Sequence, residues 1–379
     1  MLTQPQLSKI LYHLYTIWLF TVSDIKSVIV PESILGITSA LSGDILTDND
    51  IPDSRQILSR IPKVILWNWL NLFLFDLCNQ SVTQSVLEDS VNKPWRAIPS
   101  RRISATQTRT ALLLVIPSVY LATLKLGGTW ESVTLMIGTW MYNDLGGADN
   151  GVLVRNLLNG FGYICYSSGS MKVAAGYGLH DLNETSTVWL AMIGGIIFTT
   201  LQMQDMADVH GDAKRGRKTI PLVYGDAAAR YSIAIPVIAW SFICPAFWNV
   251  GLVGFLLPSL AAATFLTRLF LFRSVEDDAL TWWFWCSWLS TVFITPLEKR
   301  FGIWRSRRFS RFFIRKVAWI VLSAVPLAFA SWTALEYLSI NVQGRRFAPR
   351  IMAIGPITIR GWSLHTLLAL SQRMILIRG

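Results

Sequence analysis

The chain has 379 residues, 52% of them hydrophobic and only 15% charged, with a mean hydropathy of +0.43. That composition excludes a soluble globular enzyme, whose surface needs far more charge, and the 17 tryptophans suit a chain whose indoles anchor at two lipid–water interfaces. The net charge of +11 does not point to nucleic acid, because most of the excess lies after Leu297, where basic residues beside apolar segments mark a cytoplasmic face or anionic lipid.

Residues 1–9 are polar and run on without the small-residue cleavage site of a signal peptide. Residues 10–22 are too short and mixed for a span and read as an in-plane interfacial helix. Apolar segments follow near 27–42, 64–79, 110–126, 128–142, 153–175, 187–204, 229–249, 252–272, 279–296 and 317–338. Each is expected to be a helix, which makes the fold an all-α integral membrane bundle. Three parts result: an interfacial segment at 1–24, a transmembrane catalytic domain at 25–297, and a basic C-terminal region at 298–379 with one further apolar segment. The four cysteines lie scattered in apolar segments, without metal or disulfide spacing, and read as small buried hydrophobes.

The loops differ in charge. The loop after the second segment (Glu88, Asp89, Lys93, Arg96, Arg101, Arg102) and the loop after the sixth (three aspartates, then Lys214 to Lys218) are separated by four spans, so they share a side. Both are basic, and the positive-inside rule places them in the cytosol, with the endoplasmic reticulum as the expected membrane. Residues 44–60, 127–130 and 176–186 then share the opposite side. The last of these holds the sequon Asn183-Glu184-Thr185, a possible N-glycosylation site. The same counting puts the basic stretch 299–316 on the non-cytosolic side, against the charge rule, so one late segment is miscounted or re-entrant. Residues 339–379 contain no Asp or Glu and no periodicity, and suggest no role.

The sharpest chemical signal is Asp205-Met-Ala-Asp208-Val-His-Gly-Asp212-Ala-Lys-Arg-Gly216-Arg-Lys-Thr219. On a helix, positions i, i+3 and i+7 fall within about 60° of one face. Three carboxylates so crowded repel one another unless a cation is present. Oxygen-only ligands suit Mg²⁺, which bridges to phosphate oxygens, and Lys214, Arg215, Arg217 and Lys218 would neutralise remaining phosphate charge. A solvated acidic–basic helix end is the plainer reading, but three aspartates on one face at a membrane rim do not anchor a helix. A second cluster, Asn79-Gln80 with Glu88-Asp89 and Asn92-Lys93-Pro94-Trp95-Arg96-Ala97-Ile98-Pro99, follows a span on the same side and suggests a facing rim. A third, Tyr142-Asn143-Asp144 with Arg155, Asn156 and Asn159, offers Arg155 either as a phosphate grip or as a snorkelling arginine. The four histidines form no metal set, and His210 reads as a neighbour of the aspartates.

The run from Asp205 to Pro221, with Gly216 and Thr219, resembles the second aspartate-rich motif of the UbiA superfamily of intramembrane prenyltransferases, and residues 92–99 resemble the Asn-x-Pro-x-Arg-Pro-Ile-Pro run after that family's first motif. The resemblance covers roughly residues 25–297. It implies a UbiA-like bundle of about nine transmembrane helices around a central cavity open to the cytosol, and Mg²⁺-dependent ionisation of an allylic diphosphate. It carries Asp205, Asp208 and Asp212 over as catalytic residues of the second metal site. The first motif departs from the family pattern. Asn79 is followed by Gln80, Ser85 replaces the middle aspartate, and Asn79, Glu88 and Asp89 are the metal ligands implied there. This erosion, with Tyr-Asn-Asp-Leu-Gly-Gly at 142–147, is similar to a fungal branch of membrane-bound terpene cyclases. Lys93, Arg96, Arg155 and Lys218 are then the expected diphosphate contacts, and Trp67, Trp69, Phe73, Trp140, Tyr163 and Tyr166 the candidate aromatic walls. The implied activity is cyclisation of farnesyl diphosphate to a sesquiterpene, in a lipid bilayer and without nucleic acid. Two other readings stand beside it: a prenyltransferase joining an isoprenoid to an acceptor, and a non-catalytic membrane transporter.

Overall fold

The computed structural model describes residues 4–301, so the apolar segment expected at 317–338 and the rest of the basic tail lie outside the described residues. The chain is a succession of helices: α1 (Gln4–Thr21), a π-helical turn (Ile25–Ile29), α2 (Val30–Leu41), α3 (Ser54–Ser59), α4 (Ile61–Gln80), α5 (Thr83–Asn92), α6 (Ala105–Leu126), α7 (Thr129–Asn143), α8 (Val152–Ala175), α9 (Glu184–Thr200), α10 (Asp205–Arg215), α11 (Ile220–Tyr224), α12 (Asp226–Trp248), α13 (Leu252–Leu271), α14 (Val275–Phe293) and α15 (Thr295–Phe301). Strand structure among the described residues is limited to an isolated bridge between Thr47 and Leu182. An all-helical fold is what lipid demands, since helices satisfy their own backbone polar groups.

Each apolar segment expected from 27 to 296 is helical. The count of about nine spans does not follow from that. Five described helices are long and apolar enough to cross a membrane, or six if the pair 9–21 and 25–41, bent by 61°, is one broken span. The difference lies in elements such as α7, which has only 15 residues, and α8, whose buried face carries Asn156, Ser167 and Ser170.

That polar face puts α8 in the middle of the bundle, packed against α2, α4, α7 and α9. The α2–α8 approach is close because Gly36 has no side chain: a Cβ there would lie 2.7 Å from the Ser170 carbonyl oxygen, which the helix cannot move. By contrast α6 turns Leu113 and Leu114 outward, about three-quarters exposed, as a lipid-facing helix does.

The N-terminal helix α1 is joined to the bundle. Leu19 and Phe20 pack with Leu74 and Leu77 of α4, and Gln80 Nε2 donates to the Phe20 carbonyl at 2.7 Å. Arg102 lies over the rings of Tyr12 and Tyr15, at 4.0 and 4.9 Å.

The three loops expected on the non-cytosolic side do gather at one end. Asp48 N donates to the Asp181 carbonyl and Asn183 N to that of Leu46, while Arg60 Nη1 caps the end of α8 through the carbonyls of Ala174 and Ala175. Asn183, read as a sequon, has its amide engaged instead. Its Oδ1 accepts from Ser186 N at the start of α9, and its Nδ2 donates to the carbonyls of Asp44 and Thr47. The four cysteines are free and buried, as expected.

Candidate active site

The two motifs expected on the cytosolic side meet at the other end of the bundle. Helix α9 breaks into a 3₁₀ turn at Leu201–Gln204, and α10 starts at Asp205. Asp205 and Asp208 occupy its first turn, where the helix dipole favours carboxylates, and Lys214 and Arg215 the last, where it favours cations. Gly216 then adopts the left-handed conformation at φ 79°, which ends the helix and reverses the chain. The reversal returns Arg217 to Asp212, whose Oδ1 accepts from Nη1 at 2.9 Å, and leaves Lys218 exposed.

Asn92 at the end of α5 clamps the two motifs together. Its Nδ2 donates to the Asp208 carbonyl and its Oδ1 accepts from Gly211 N, both at 2.9 Å. The approach requires glycine, because a Cβ on Gly211 would lie 2.2 Å from Asn92 Nδ2.

The carboxylates at this end do not stand free; each of the three α10 aspartates is matched to one cation. Arg155 holds Asp205 at 2.6 Å, Lys93 holds Asp208 at 2.9 Å and Arg217 holds Asp212. Glu88 accepts from Arg215 and Arg217. Asp89 accepts both its hydrogen bonds from Arg96 Nη1, at 2.9 and 3.1 Å, while Arg96 Nη2 reaches Asp24. Asp149, on the loop before α8, is bound by Arg215 and Arg217 and ties that loop to the end of α10. Burial works against charge in this network, and the pairs restore it unequally. Desolvation lifts the Asp89 carboxyl above its ordinary value although Arg96 and Lys93 pull it down. Asp149 is also desolvated, but hydrogen bonds and charge from Arg215 and Arg217 hold it below the usual range. Burial opposes the Lys93 ammonium, and Asp208, Asp89 and Asp24 together more than compensate.

These pairs surround a cavity with a polar mouth and an apolar, aromatic depth. Asp24, Asp76, Asn79, Glu88, Lys93, Arg96, Arg155, Gln204, Asp208 and Arg217 line the first, and Val28, Leu72, Phe75, Leu135, Leu158, Phe161, Tyr163 and Tyr166 the second. Of the residues expected from sequence, Asn79, Glu88, Asp208, Lys93, Arg96 and Arg155 are therefore brought together on one cavity. Asp205 and Asp212 stand behind Arg155 and Arg217 and do not line it, nor does Asp89. Lys218 is displaced by its neighbour Arg217, for the chain reversal at Gly216 turns one inward and the other out. His210 is exposed. Among the aromatic candidates Tyr163 and Tyr166 line the cavity. Trp67 fills the space left by Gly169, Trp69 stacks on Phe73 at 5.4 Å, and Trp140 is exposed.

Sequence reasoning missed Asp24, Asp76 and Asp149. Asp76 carried a signal, as a lone carboxylate inside an apolar run one helical turn before Asn79. Asp24 and Asp149 carried none, since each is a single acid at a break between segments.

Whether these residues suit a metal ion can be judged from the donors. They are all oxygens: the carboxyl groups of Asp24, Asp76, Glu88 and Asp208 line the cavity beside Lys93, Arg96, Arg155 and Arg217, and Asp205 and Asp212 stand directly behind two of those cations. Asp212 Oδ2 and Asp76 Oδ2 are buried with no hydrogen-bond donor. Once a diphosphate engages the cations, carboxyl oxygens so placed suit a hard divalent cation such as Mg²⁺. No cluster of three or more acidic, His or Cys side chains is gathered for metal binding among the described residues, because the cations occupy the carboxylates.

Residues 66–294 match the model of the UbiA prenyltransferase family. The chain is 30% identical to the fumagillin beta-trans-bergamotene synthase of Aspergillus fumigatus over 287 residues, 76% of this chain and 93% of that protein. It is 28% identical to two proteins of Hericium erinaceus. One is the diterpene cyclase eriG (58% of this chain, 68% of that protein), and the other is the polyprenyl transferase eriF (60% and 75%).

Proposed function

Because the chain belongs to the UbiA prenyltransferase family, we propose that it is a membrane-bound terpene cyclase that ionises farnesyl diphosphate and closes it to a cyclic sesquiterpene without a second substrate. The observation that carries this reading is the cavity itself. Four cations, Lys93, Arg96, Arg155 and Arg217, line its mouth, and Phe75, Phe161, Tyr163 and Tyr166 line its depth. A diphosphate fits the first surface and a fifteen-carbon isoprenoid chain the second. The relatives support an enzyme of this class and leave the transporter reading without support.

The ion pairs suggest how substrate is taken up. Lys93, Arg155 and Arg217 each neutralise one α10 aspartate, and an arriving diphosphate offers them stronger, charge-assisted acceptors. As they turn to phosphate oxygens, the carboxylates of Asp208, Asp205 and Asp212 are released. These, with Asn79, are the donors we propose for Mg²⁺, while Glu88 and Asp89, which the sequence motif implies as ligands, stay with their arginines. Mg²⁺ bound there would act as a Lewis acid on the leaving diphosphate. The guanidinium and ammonium groups stabilise the same developing charge. The C–O bond then breaks to an allylic cation, which the chain's own double bonds attack within the cavity. The faces of Tyr163, Tyr166, Phe75 and Phe161 stabilise positive charge and exclude water. Loss of a proton ends the cascade. The basic loops support a cytosolic mouth.

A prenyltransferase is the second reading, favoured by the equal identity to eriF. Tyr166 OH and Asn159 Nδ2 are buried without partners beside the cavity and offer hydrogen bonds to an acceptor. Isolated membranes given farnesyl diphosphate and Mg²⁺, with no acceptor, separate the two. A volatile hydrocarbon that disappears with EDTA supports the cyclase. No hydrocarbon from farnesyl, geranyl or geranylgeranyl diphosphate overturns it in favour of the transferase.

A further inference from the structure

We infer that Asp24 and Asp76, with the amide oxygen of Asn79, form a divalent-cation site in the cavity wall, where the eroded first motif has lost its aspartates. This assignment rests on the proposed diphosphate chemistry and names the residues that hold metal opposite α10.

Asp76 is 2% exposed and lines the cavity. It makes no ion pair among the described residues, and its Oδ2 has no hydrogen-bond donor. Its carboxyl lies within hydrogen-bonding reach of that of Asp24, which sits at the break between α1 and the π-helical turn and also lines the cavity. Ser23 and Arg96 both bind Asp24 through Oδ2, and the single Arg96 is shared with Asp89. Among the described residues Arg96 alone pairs with Asp24, while Lys93 and Lys26 act on it from farther off, so the unpaired Asp76 carboxyl facing Asp24 calls for a shared proton or a further cation. One turn along α4, Asn79 supplies a third oxygen. Its Nδ2 donates to Asn143 Oδ1 at 2.8 Å, and Asn143 Nδ2 is itself held by the Thr139 carbonyl, so the amide is oriented with Oδ1 left over. Two carboxylates and an amide oxygen on one cavity wall match Mg²⁺ or Mn²⁺, which keep several waters and complete their shell with phosphate oxygens.

The residues that the sequence motif indicates for this place are differently employed. Glu88 is bound by Arg215 and Arg217, and Asp89 by Arg96 through both oxygens. They act as positioning residues for the arginines, and the metal falls to the pair on α4 and the π-helical turn.

The test is a count of bound Mn²⁺ by electron paramagnetic resonance on the purified full chain in detergent, with inorganic pyrophosphate as the anionic probe. Asp76→Asn and Asp24→Asn are each expected to lose one Mn²⁺ or bind it about tenfold more weakly. Glu88→Gln keeps the wild-type count, and Asp76→Glu recovers part of the affinity. Asp24, one-third exposed at a helix break, gives the readout if a change at buried Asp76 prevents folding. Wild-type binding in both asparagine variants overturns the assignment alone, whereas a wild-type protein that binds no Mn²⁺ with pyrophosphate overturns the functional reading beneath it.

Discussion

Arg155 Nη1 donates to both carboxylate oxygens of Asp205, each at 2.6 Å, and the two side chains are only 6% and 2% exposed. A pair so buried is costly to assemble and costlier to break, because either partner alone leaves an uncompensated charge. It joins α8 to the first turn of α10 across the cavity mouth. Arg155→Gln is therefore expected to lower kcat/KM by about 100-fold or more, as loss of a preorganised donor does. Arg155→Lys keeps the charge but loses the planar fork, and should retain more activity than the glutamine variant. Steady-state kinetics on reconstituted protein decide this; equal rates in wild type and Arg155→Gln would remove Arg155 from the diphosphate site.

Lys93 and Asp208 form the pair that faces the cavity most openly, each about one-quarter exposed. Asp208→Asn removes the carboxylate while preserving shape, so membrane insertion is expected to survive and turnover to fall by about 100-fold or more. Added Mg²⁺ should not rescue it. If product formation from farnesyl diphosphate is unchanged, Asp208 holds no metal and the α10 motif has another role.

The longer helices of this protein are legible from apolar length, and the meeting of the two polar motifs follows from counting spans between them, but α5 lies within what the sequence reads as a loop, because its polar composition carries no apolar signal. The α10 motif was legible because helical spacing puts its aspartates on one face. Their partners were not. Arg155 lies 50 positions from Asp205, and Lys93 115 from Asp208, and no local pattern encodes such pairings. The preference for Lys218 over Arg217 failed on one backbone conformation, that of Gly216. Asp24 and Asp76 were missed for a related reason, since they come from different helices and become a pair only when α1 bends back along α4.

Asp149 gives the network a pH dependence with a definite sign. Burial alone would raise its carboxyl, but Arg215 and Arg217 hold it below its ordinary value. A depressed folded-state pKa contributes stability that is present above the unfolded value, about 3.9, and is lost as pH falls through the folded one. Thermal unfolding of wild type and Asp149→Asn in detergent should therefore differ near neutrality, with wild type the more stable, and converge as pH drops below 4. A difference that persists unchanged into acid would mean that the two arginines do not act through the Asp149 charge.

Arg230 makes a prediction separate from catalysis. Fully buried on α12, it donates to Asp278 through Nη1 and Nη2 at 2.8 and 2.7 Å, to Asp226 through Nε, and to the carbonyl of Leu269 near the end of α13. One guanidinium thus fastens α12 to the end of α13 and the start of α14. Arg230→Ala strands the buried Asp278 and frees a terminal carbonyl, for a cost of about 3–5 kcal/mol. The expected drop in Tm is on the order of 5 °C or more. Replacing both partners, as Arg230→Met with Asp278→Leu, removes the stranded charge and should recover much of that loss, since a buried pair is worth little against a packed apolar one. Because neither residue lines the cavity, the rescued double variant should also regain product formation. A double variant no more stable than Arg230→Ala would show that the contact with Leu269, rather than the charge pair, holds the three helices together.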